Sequence, residues 1–226
     1  MLETFKNAWR IEDLRKKILY TLLMLLVYRI GTSFIPIAGM DVAAIKQTVE
    51  GSDILGFLNM ITGGSLAGFT IFAVGISPYI TASIVMQLLT FAIPALERLS
   101  KEGGEEGREK LKRITRYVGI GLALIMSIGM VMSLRSYMIT TDLLSKITMV
   151  LTLTAGACIV MWMGEKITEK GIGNGVSLII FVGIVARLPV TAWSFMQNIF
   201  AGEVNAWALL PIVVIYVAIV AGVVFI

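Results

Sequence analysis

Side chains that could carry catalytic chemistry are few in this sequence. It contains no histidine, which removes the commonest general base and the commonest metal ligand. The single cysteine, Cys158, lies within an apolar run, so we expect a small buried side chain there and no internal disulfide. The acidic residues fall between the apolar runs or at their ends, which leaves no carboxylate pair inside a run. The sequence therefore predicts no covalent catalysis, no metal site and no cofactor.

A glycine-rich stretch is the nearest approach to a phosphate-binding motif. Gly171, Gly173 and Gly175 are spaced every second residue, whereas the dinucleotide-binding fingerprint requires G-x-G-x-x-G after a β-strand. The residues before them form an apolar run typical of a membrane helix. We therefore predict a tight turn, in which Asn174 adopts a left-handed conformation or caps the next helix.

The elements that must position any site are membrane helices. Hydrophobic residues make up 57% of the 226-residue chain, charged residues make up 15%, and the mean hydropathy is +0.88. An ordinary soluble domain is about 45–50% apolar. The sequence therefore predicts an all-α, polytopic membrane protein. The N-terminus lacks the short apolar core and cleavage site of a removable signal peptide.

Apolar stretches of about 20 residues, long enough to cross a bilayer, recur along the chain. We predict spans at residues 18–36, 69–94, 117–135, 147–165, 176–197 and 207–226, the last one incomplete, with external loops at 37–53, 136–146 and 198–206. Lys and Arg are concentrated before the first span, in the segment 95–116 and in the turn 166–175, which predicts a cytoplasmic N-terminus. Residues 1–17 form either an amphipathic helix along the cytoplasmic interface or a solvated lead-in.

The segment 95–116 is a charged cytoplasmic loop in this topology. Residues 97–116 hold seven basic and five acidic residues. Such a loop is either a solvated connection that sets the topology or a docking site for a cytoplasmic partner. The basic residues assigned to docking are Arg98, Lys101, Arg108, Lys110, Lys112 and Arg113.

Residues 54–68, here called the broken segment, are apolar but interrupted by glycine. The glycines would end any helix that begins there, and the apolar helix predicted from Phe69 to Leu89 is already long enough to span a membrane. Two interpretations stay open. Gly64 and Gly68 could form a small-residue packing face, or the segment folds back as a re-entrant, movable piece inside a protein cavity.

The second predicted span also carries a proline and several polar side chains. Pro78 would free a backbone carbonyl of the preceding turn. Thr81, Gln87 and Thr90 place hydroxyl and amide groups on an otherwise apolar helix. Polar groups in membrane helices usually face the bundle interior or water. The alternative is ordinary helix packing, with the hydroxyls bonded to the preceding turn.

A family resemblance is carried by four long stretches that occur in the family's order. They are RIGTSFIPIAGMD, NMITGGSLAGFTIFAVGISPYITASIVMQLLTF, LERLSKEGGEEGREKLKRITRY and MWMGEKITEKGIGNGVSLIIFVGIV. Together they closely resemble the N-terminal half of the bacterial SecY family, the protein-conducting channels of the Sec translocon. The resemblance implies a membrane helix bundle that is half of a pseudo-two-fold-symmetric channel, with a re-entrant plug helix. It also implies that the chain holds the first five spans and most of the sixth.

The same resemblance gives individual residues a role. It makes the broken segment the plug that closes the resting channel, with Leu58, Asn59, Met60, Ile61, Thr62, Gly63, Gly64 and Ser65 at its centre. It places Ile76, Ile80, Ile180 and Ile184 on the apolar pore ring; without the resemblance these isoleucines would be interpreted as core residues. It makes Thr81 and Gln87 candidate lining of the lateral gate, through which hydrophobic helices leave into lipid.

The function implied by the resemblance is that of the pore-forming subunit of the Sec translocase. Such a subunit passes unfolded secretory polypeptides across the bacterial inner membrane, and membrane-protein helices laterally into it. The implied partners are SecE, SecG, the SecA ATPase, the ribosome, signal peptides, nascent polypeptides and the lipid bilayer.

Two other classes of function stay open at this point. A secondary transporter would need ionisable groups inside its spans, and here Arg29 and Arg187 qualify, both able to snorkel to an interface. An intramembrane enzyme would need a nucleophile with a base, or a carboxylate pair, within the spans, and the sequence offers neither.

Overall fold

The computed structural model describes residues 11–200 and 209–225 of the chain. The helices within those ranges are α1 Glu12–Phe34, α2 Val42–Glu50, α3 Asp53–Ile61, α4 Ser77–Ala92, α5 Pro94–Lys101, α6 Gly104–Ser133, α7 Leu143–Lys170, α8 Gly175–Val185, α9 Leu188–Phe200 and α10 Leu209–Phe225. A single turn of 3₁₀ helix, Arg135–Tyr137, follows α6. The predicted all-α fold is confirmed. Residues 1–10 of the predicted N-terminal segment lie outside the described residues.

Several of these helices suit a bilayer. Within the described ranges, the stretches long and apolar enough to cross a membrane are Glu12–Phe34, Gly104–Ser133, Leu143–Lys170 and Gly175–Ser194. A further span arises if α4 and α5, which meet at an angle of 101°, are taken as one broken span. Large apolar side chains lie exposed on their outer faces, as on Leu23 of α1 and Ile125 of α6. The chain is therefore a multi-pass membrane protein.

The start of the second predicted span was wrong. The helix predicted from Phe69 begins at Ser77, and residues 62–76 form a series of turns. Pro78 lies in the first turn of α4, where a missing N–H removes no helical hydrogen bond, so it starts the helix and does not interrupt one. Gly75 has a φ of +63°, a left-handed conformation that a continuous helix cannot contain.

Some backbone groups of the turns at residues 62–76 form hydrogen bonds with the chain that directly follows α1. The Ile37 N–H donates to the Phe69 carbonyl oxygen at 2.9 Å, and the Ile71 N–H donates to the Ile35 carbonyl oxygen at 3.1 Å. Non-helical backbone at membrane depth survives only where its polar groups are paired within the protein. This pairing therefore makes an irregular segment tolerable where the sequence suggested a helix.

The charged segment 95–116 is helical, which corrects the predicted loop. It contains α5 and the first turns of α6, separated by a reversal in which Gly104 has a φ of +54°. Ion pairs one turn apart support both helices: Glu97 with Lys101 at 2.7 Å, and Glu106 with Lys110 at 2.8 Å. A dense run of charges predicts a loop, whereas charges of opposite sign one turn apart on a solvated surface stabilise a helix.

The predicted turn 166–175 is shorter than expected, because α7 continues to Lys170. The left-handed residue of the turn is Gly173, with a φ of +65°. The Asn174 Oδ1 accepts hydrogen bonds from the N–H groups of Val176 and Ser177 at 3.0 and 3.2 Å. The prediction that Asn174 caps the next helix is confirmed.

The chain divides into two compact units, and the second begins at Val185. A turn at residues 186–187 separates α8 from α9, so the predicted span 176–197 is not one unbroken helix. Within the predicted span 207–226, α10 is a helix of 17 residues. Residues 201–208, which include most of the predicted loop 198–206 and the first two residues of the predicted span 207–226, lie outside the described residues.

In the first unit, α6 packs against α4, α5 and α7, α1 packs against α7, and α2 packs against α3. Two clusters of buried apolar side chains form its core. One includes Leu153 of α7 and Phe69, and the other joins Tyr28 of α1 to Phe72 and to Ile179 of α8. The turns after α3 thus contribute to both clusters and lie at the centre of the unit.

Candidate functional site

The broken segment consists of α3 followed by turns at residues 62–68. Its outward side is apolar: the side chains of Ile54 and Phe57 are 75% and 59% exposed. Its inward side carries both polar and apolar groups: Asn59 is only 2% exposed, Ser65 is fully buried, and Leu66 and Ala67 belong to the apolar core. The segment therefore presents an apolar face outward and buries polar side chains among apolar ones inward.

Polar side chains of the broken segment satisfy backbone groups in its own turns. The Asn59 Oδ1 accepts a hydrogen bond from the Ala67 N–H at 2.9 Å. The Ser65 hydroxyl lies 2.8 Å from the Thr62 carbonyl oxygen and 2.9 Å from that of Phe72, so it can donate to either. Because an unpaired backbone group in a dry interior is costly, these side chains help to hold the folded-back conformation.

A guanidinium from α1 forms a hydrogen bond with the broken segment at the turn that follows α3. The Arg29 Nη1 donates to the Gly63 carbonyl oxygen at 2.7 Å. Snorkelling of Arg29 to an interface was left open by the sequence, but this hydrogen bond directs the side chain inward to the segment. The contact was not predicted from the sequence, although a lone charge inside an apolar span was the available signal.

Helix α8 approaches the same turn from another side. Gly63 and Gly64 have φ values of +69° and +95°, which favour glycine. A Cβ placed on Gly63 would lie 3.1 Å from the Gly183 Cα of α8. The turn and α8 therefore meet backbone to backbone, with no side chain between them.

The predicted pore-ring isoleucines are partly brought together. Ile76 is 5% exposed and belongs to the apolar cluster of α1, α7 and α8, and Ile80 and Ile180 pack against that cluster. Ile184 is half-buried, at the end of the first unit. Three of the four residues thus share one apolar surface beside the broken segment, and a ring function for them stays a prediction.

The two predicted gate residues lie on α4 in different settings. The Thr81 hydroxyl donates to the Ser77 carbonyl oxygen at 3.1 Å, the back-bonded alternative that the sequence had left open. Thr90 does the same with Met86 at 2.7 Å. Gln87 is exposed and lines a cavity of about 460 Å³ between α4, α5 and α6. The Thr81 hydroxyl is thus occupied within its own helix, whereas the exposed Gln87 amide can form hydrogen bonds with a neighbouring molecule.

The six basic residues assigned to docking lie on α5 and α6. Besides the pairs at Lys101 and Lys110, Lys112 lies 3.1 Å from Glu169 and Arg113 lies 3.9 Å from Glu109. Arg98 and Arg108 are exposed. Exposed ion pairs of this kind contribute little to stability. Carboxylates of a partner could therefore replace the glutamates of these pairs at small cost in free energy.

A buried carboxylate at this end of the unit was not singled out by the sequence. Glu165 of α7 is 3% exposed and forms an ion pair with Arg116 of α6, whose side chain is 45% exposed. Beside the pair lies a cavity of about 270 Å³, lined by α4 residues that include Ile80 and by Thr168 and Asn174. The pair ties α6 to α7 next to one of the predicted ring residues.

Comparison with known proteins identifies the family. The sequence model of SecY matches residues 70–226. The chain belongs to the SecY family. The protein translocase subunit SecY of Streptomyces scabiei is 44% identical over 214 residues, covering 88% of this chain and 48% of that protein. The SecY subunit of Synechocystis sp. is 42% identical over 226 residues, covering 99% of this chain and 51% of that protein.

Two solved channel structures have the same fold. The structure of a protein conducting channel superposes with a TM-score of 0.67 at 20% identity, covering 92% of this chain and 46% of that chain. Sec61 in the canine ribosome-channel complex from the endoplasmic reticulum gives a TM-score of 0.68 at 20% identity, covering 92% and 47%. The chain spans about half the length of these SecY relatives and channel chains.

Proposed function

We propose that this chain forms the first half of the pore of a Sec protein translocase. It would pass unfolded secretory polypeptides across a bacterial inner membrane and release hydrophobic helices sideways into lipid, with its N-terminus in the cytoplasm. Membership of the SecY family supports this proposal. The observation that carries it is the broken segment: a short helix, folded back by its own polar side chains, with an apolar face exposed.

In this proposal the broken segment is the plug that closes the resting pore. Its helical part is suited to movement, because much of α3 is exposed and glycine turns with a hydrogen bond from Arg29 follow it, although Leu66 and Ala67 beyond those turns are buried in the core. The residues that form the plug are Leu58, Asn59, Met60, Ile61, Thr62, Gly63, Gly64 and Ser65. Movement of this segment would leave α1 and α8 in place and open a path between them.

The apolar constriction would be formed by Ile76, Ile80, Ile180 and Ile184. Branched aliphatic side chains can exclude water and ions when they close together, yet they bind no passing side chain strongly. Clustering of the first three beside the broken segment supports this assignment. Side chains that complete the constriction would come from outside this chain.

Partners of the translocase follow from the same proposal. SecE and SecG would be its membrane partners, and the SecA ATPase or a translating ribosome would supply the driving force. The basic residues of α5 and α6 are the surface for a cytoplasmic partner, and Thr81 and Gln87 face the route taken by signal peptides. We assign no covalent chemistry to the chain.

The experiment is a conductance recording of the complete protein, reconstituted with its membrane partners, before and after deletion of Asp53–Gly68. A quiet wild type and a leaky, folded deletion variant are expected. Ile80→Gly and Ile184→Gly together should leak more than either change alone. Silence of the deletion variant, with its chromatographic profile and unfolding temperature intact, would reduce the broken segment to a packing element.

A further inference from the structure

We propose that Arg29 is a positioning residue for the broken segment: its guanidinium holds the Gly63 carbonyl and keeps the segment seated between α1 and α8. The inference rests on the proposed plug function and names the group that keeps the plug in place. Arg29 lies on α1, far from the segment in sequence, so the contact joins two separate elements of the unit.

The first argument is the position of the charge. Ionisable side chains inside membrane helices are costly and are kept where they have a task. Within the described part of the chain, no carboxylate forms an ion pair with Arg29, and no other donor reaches the Gly63 carbonyl. The hydrogen bond is thus the interaction that compensates the guanidinium, and a charge-assisted bond is strong in a medium of low dielectric constant.

The second argument is the rigid base of Arg29. Tyr28, the preceding residue, is buried and stacks on Phe72, with 5.9 Å between ring centroids and 12° between ring planes. A Cβ on Gly31 would overlap the same Phe72 ring, so α1 lies directly against it. The Thr32 hydroxyl donates to the Arg29 carbonyl oxygen at 2.9 Å. The helix that carries the guanidinium is therefore fixed in position beside the segment.

The third argument is the geometry on the opposite side of the turn. A Cβ on Gly183 of α8 would lie 3.0 Å from the Ile61 carbonyl oxygen and 3.3 Å from the Gly63 nitrogen. The turn is therefore held between the Arg29 side chain and the backbone of α8. Loss of the guanidinium removes the hydrogen bond to Gly63 and leaves only the backbone contact with α8 on the other side of the turn. The segment should then be released more easily, while the helices stay folded.

The decisive variants are Arg29→Met and Arg29→Lys in the complete, reconstituted protein. Methionine keeps an unbranched apolar stem but donates no hydrogen bond, so spontaneous openings should become about ten- to a hundredfold more frequent. Lysine keeps one donor and its charge, and should restore most of the closed state. Arg135→Met, which removes an exposed charge on the 3₁₀ turn, is the matched control and should stay quiet.

A second readout follows the segment itself. In a Cys158→Ala background, Thr62→Cys places a thiol where the native side chain is 8% exposed. Its reaction with a membrane-impermeant maleimide should accelerate about tenfold or more in the Arg29→Met variant and return toward the slow rate with lysine. A structural role of Arg29 unrelated to the segment would leave this rate unchanged.

The outcomes separate the inference from the proposed function. If deletion of Asp53–Gly68 leaks while Arg29→Met is silent and its thiol stays protected, Arg29 does not position the segment and the plug stands. If the deletion is silent, the plug function fails, and the labelling rate alone decides whether Arg29 seats the segment. Equal leakage in the methionine and lysine variants, with no change in labelling, would also overturn the inference.

Discussion

Helix α7 and the broken segment both depend on glycine, but for opposite reasons. On α7, glycine removes volume: a Cβ on Gly156 would overlap the Ile71 carbonyl group. Where α8 begins, a Cβ on Gly175 would overlap the Gly164 carbonyl of α7. In the broken segment, glycine supplies a backbone conformation, with a φ of +69° at Gly63. On α7, glycine lets a neighbouring backbone approach the helix closely. In the broken segment, glycine lets the chain reverse its direction.

The attachments of the two regions differ in the same way. Around α7 they are close van der Waals contacts, which weaken steeply with distance, and one ion pair whose carboxylate is buried. The broken segment buries Leu66 and Ala67 in the core, but it is also joined to other elements by hydrogen bonds from Arg29 to Gly63 and from Ser65 to Phe72, each of which can be exchanged for another partner. Close packing suits elements that stay fixed, here the helices α1, α6 and α7, which we call the wall. Exchangeable hydrogen bonds suit a part that moves.

The largest expected effect is on the wall. Gly156→Leu would drive a side chain into the backbone at Ile71, and overpacking of a tight interior site costs about 3 kcal/mol or more when the backbone must shift. We expect little folded protein and a strongly lowered unfolding temperature. Recovery from detergent by size-exclusion chromatography and a thermal unfolding scan measure both.

The control makes the same change where there is space. Gly129→Leu on α6 places leucine at an exposed position with nothing within 4 Å of its Cβ. Its unfolding temperature should match the wild type. If the two leucine variants are equally stable, α7 and the turn at Ile71 are not in the close contact on which the comparison depends.

A smaller effect is expected at the ion pair of the wall. Arg116→Met leaves the buried Glu165 carboxylate without its partner. Loss of one partner from a fully buried pair costs about 3–5 kcal/mol. Because Arg116 is 45% exposed and water reaches it, we expect about 2–3 kcal/mol here. Denaturant unfolding in detergent micelles measures the change in the free energy of unfolding.

Two further variants test this interpretation. Lys112→Met breaks a pair with Glu169 in which both side chains are about 40% exposed, so it should cost less than about 1 kcal/mol. Adding Glu165→Gln to Arg116→Met should recover part of the lost stability, because the buried charge is then gone. An equal cost for Lys112→Met and Arg116→Met would mean that burial does not distinguish the two pairs.

The wall was largely predictable from the sequence and the broken segment was not. Apolar length and the positions of charges predicted α1, α6 and α7, because a membrane helix satisfies its own backbone and needs no distant partner. The turns at residues 62–76 depend on carbonyl and amide groups of Ile35 and Ile37, contributed by a distant part of the chain. No local pattern reveals such a partner, so the apolar run at Phe69 predicts a helix that the structure does not have.

The candidate site, too, was predictable from the sequence only in part. The glycine pattern singled out the broken segment, and the family resemblance gave predicted roles to it and to the four isoleucines, because those assignments depend on motif order alone. It gave no account of what holds the segment in place. Arg29 and Gly63 meet only once α1 and the turn are folded together, and Glu165 looked like one more acidic residue at the end of a span. Contacts between elements are where the structure adds to the sequence.

The smallest expected effect is local to the broken segment. Asn59→Ala removes the acceptor of the Ala67 N–H and leaves that buried group unpaired, which costs about 1–2 kcal/mol. Because the bond lies inside the segment, the wall should be unaffected. Hydrogen exchange of a peptide covering residues 62–68 should therefore accelerate about tenfold, while exchange in α7 and the unfolding temperature stay unchanged.

Met60→Ala is the matched control, since it truncates the neighbouring side chain, which is 37% exposed and makes no side-chain hydrogen bond to the turns. Its exchange in residues 62–68 should stay near the wild-type rate. If Asn59→Ala instead lowers the unfolding temperature as much as Arg116→Met does, the broken segment is part of the cooperative wall. A segment so coupled could not leave its seat while α6 and α7 stay folded, and exchangeable attachment would have to be abandoned as the feature that sets it apart.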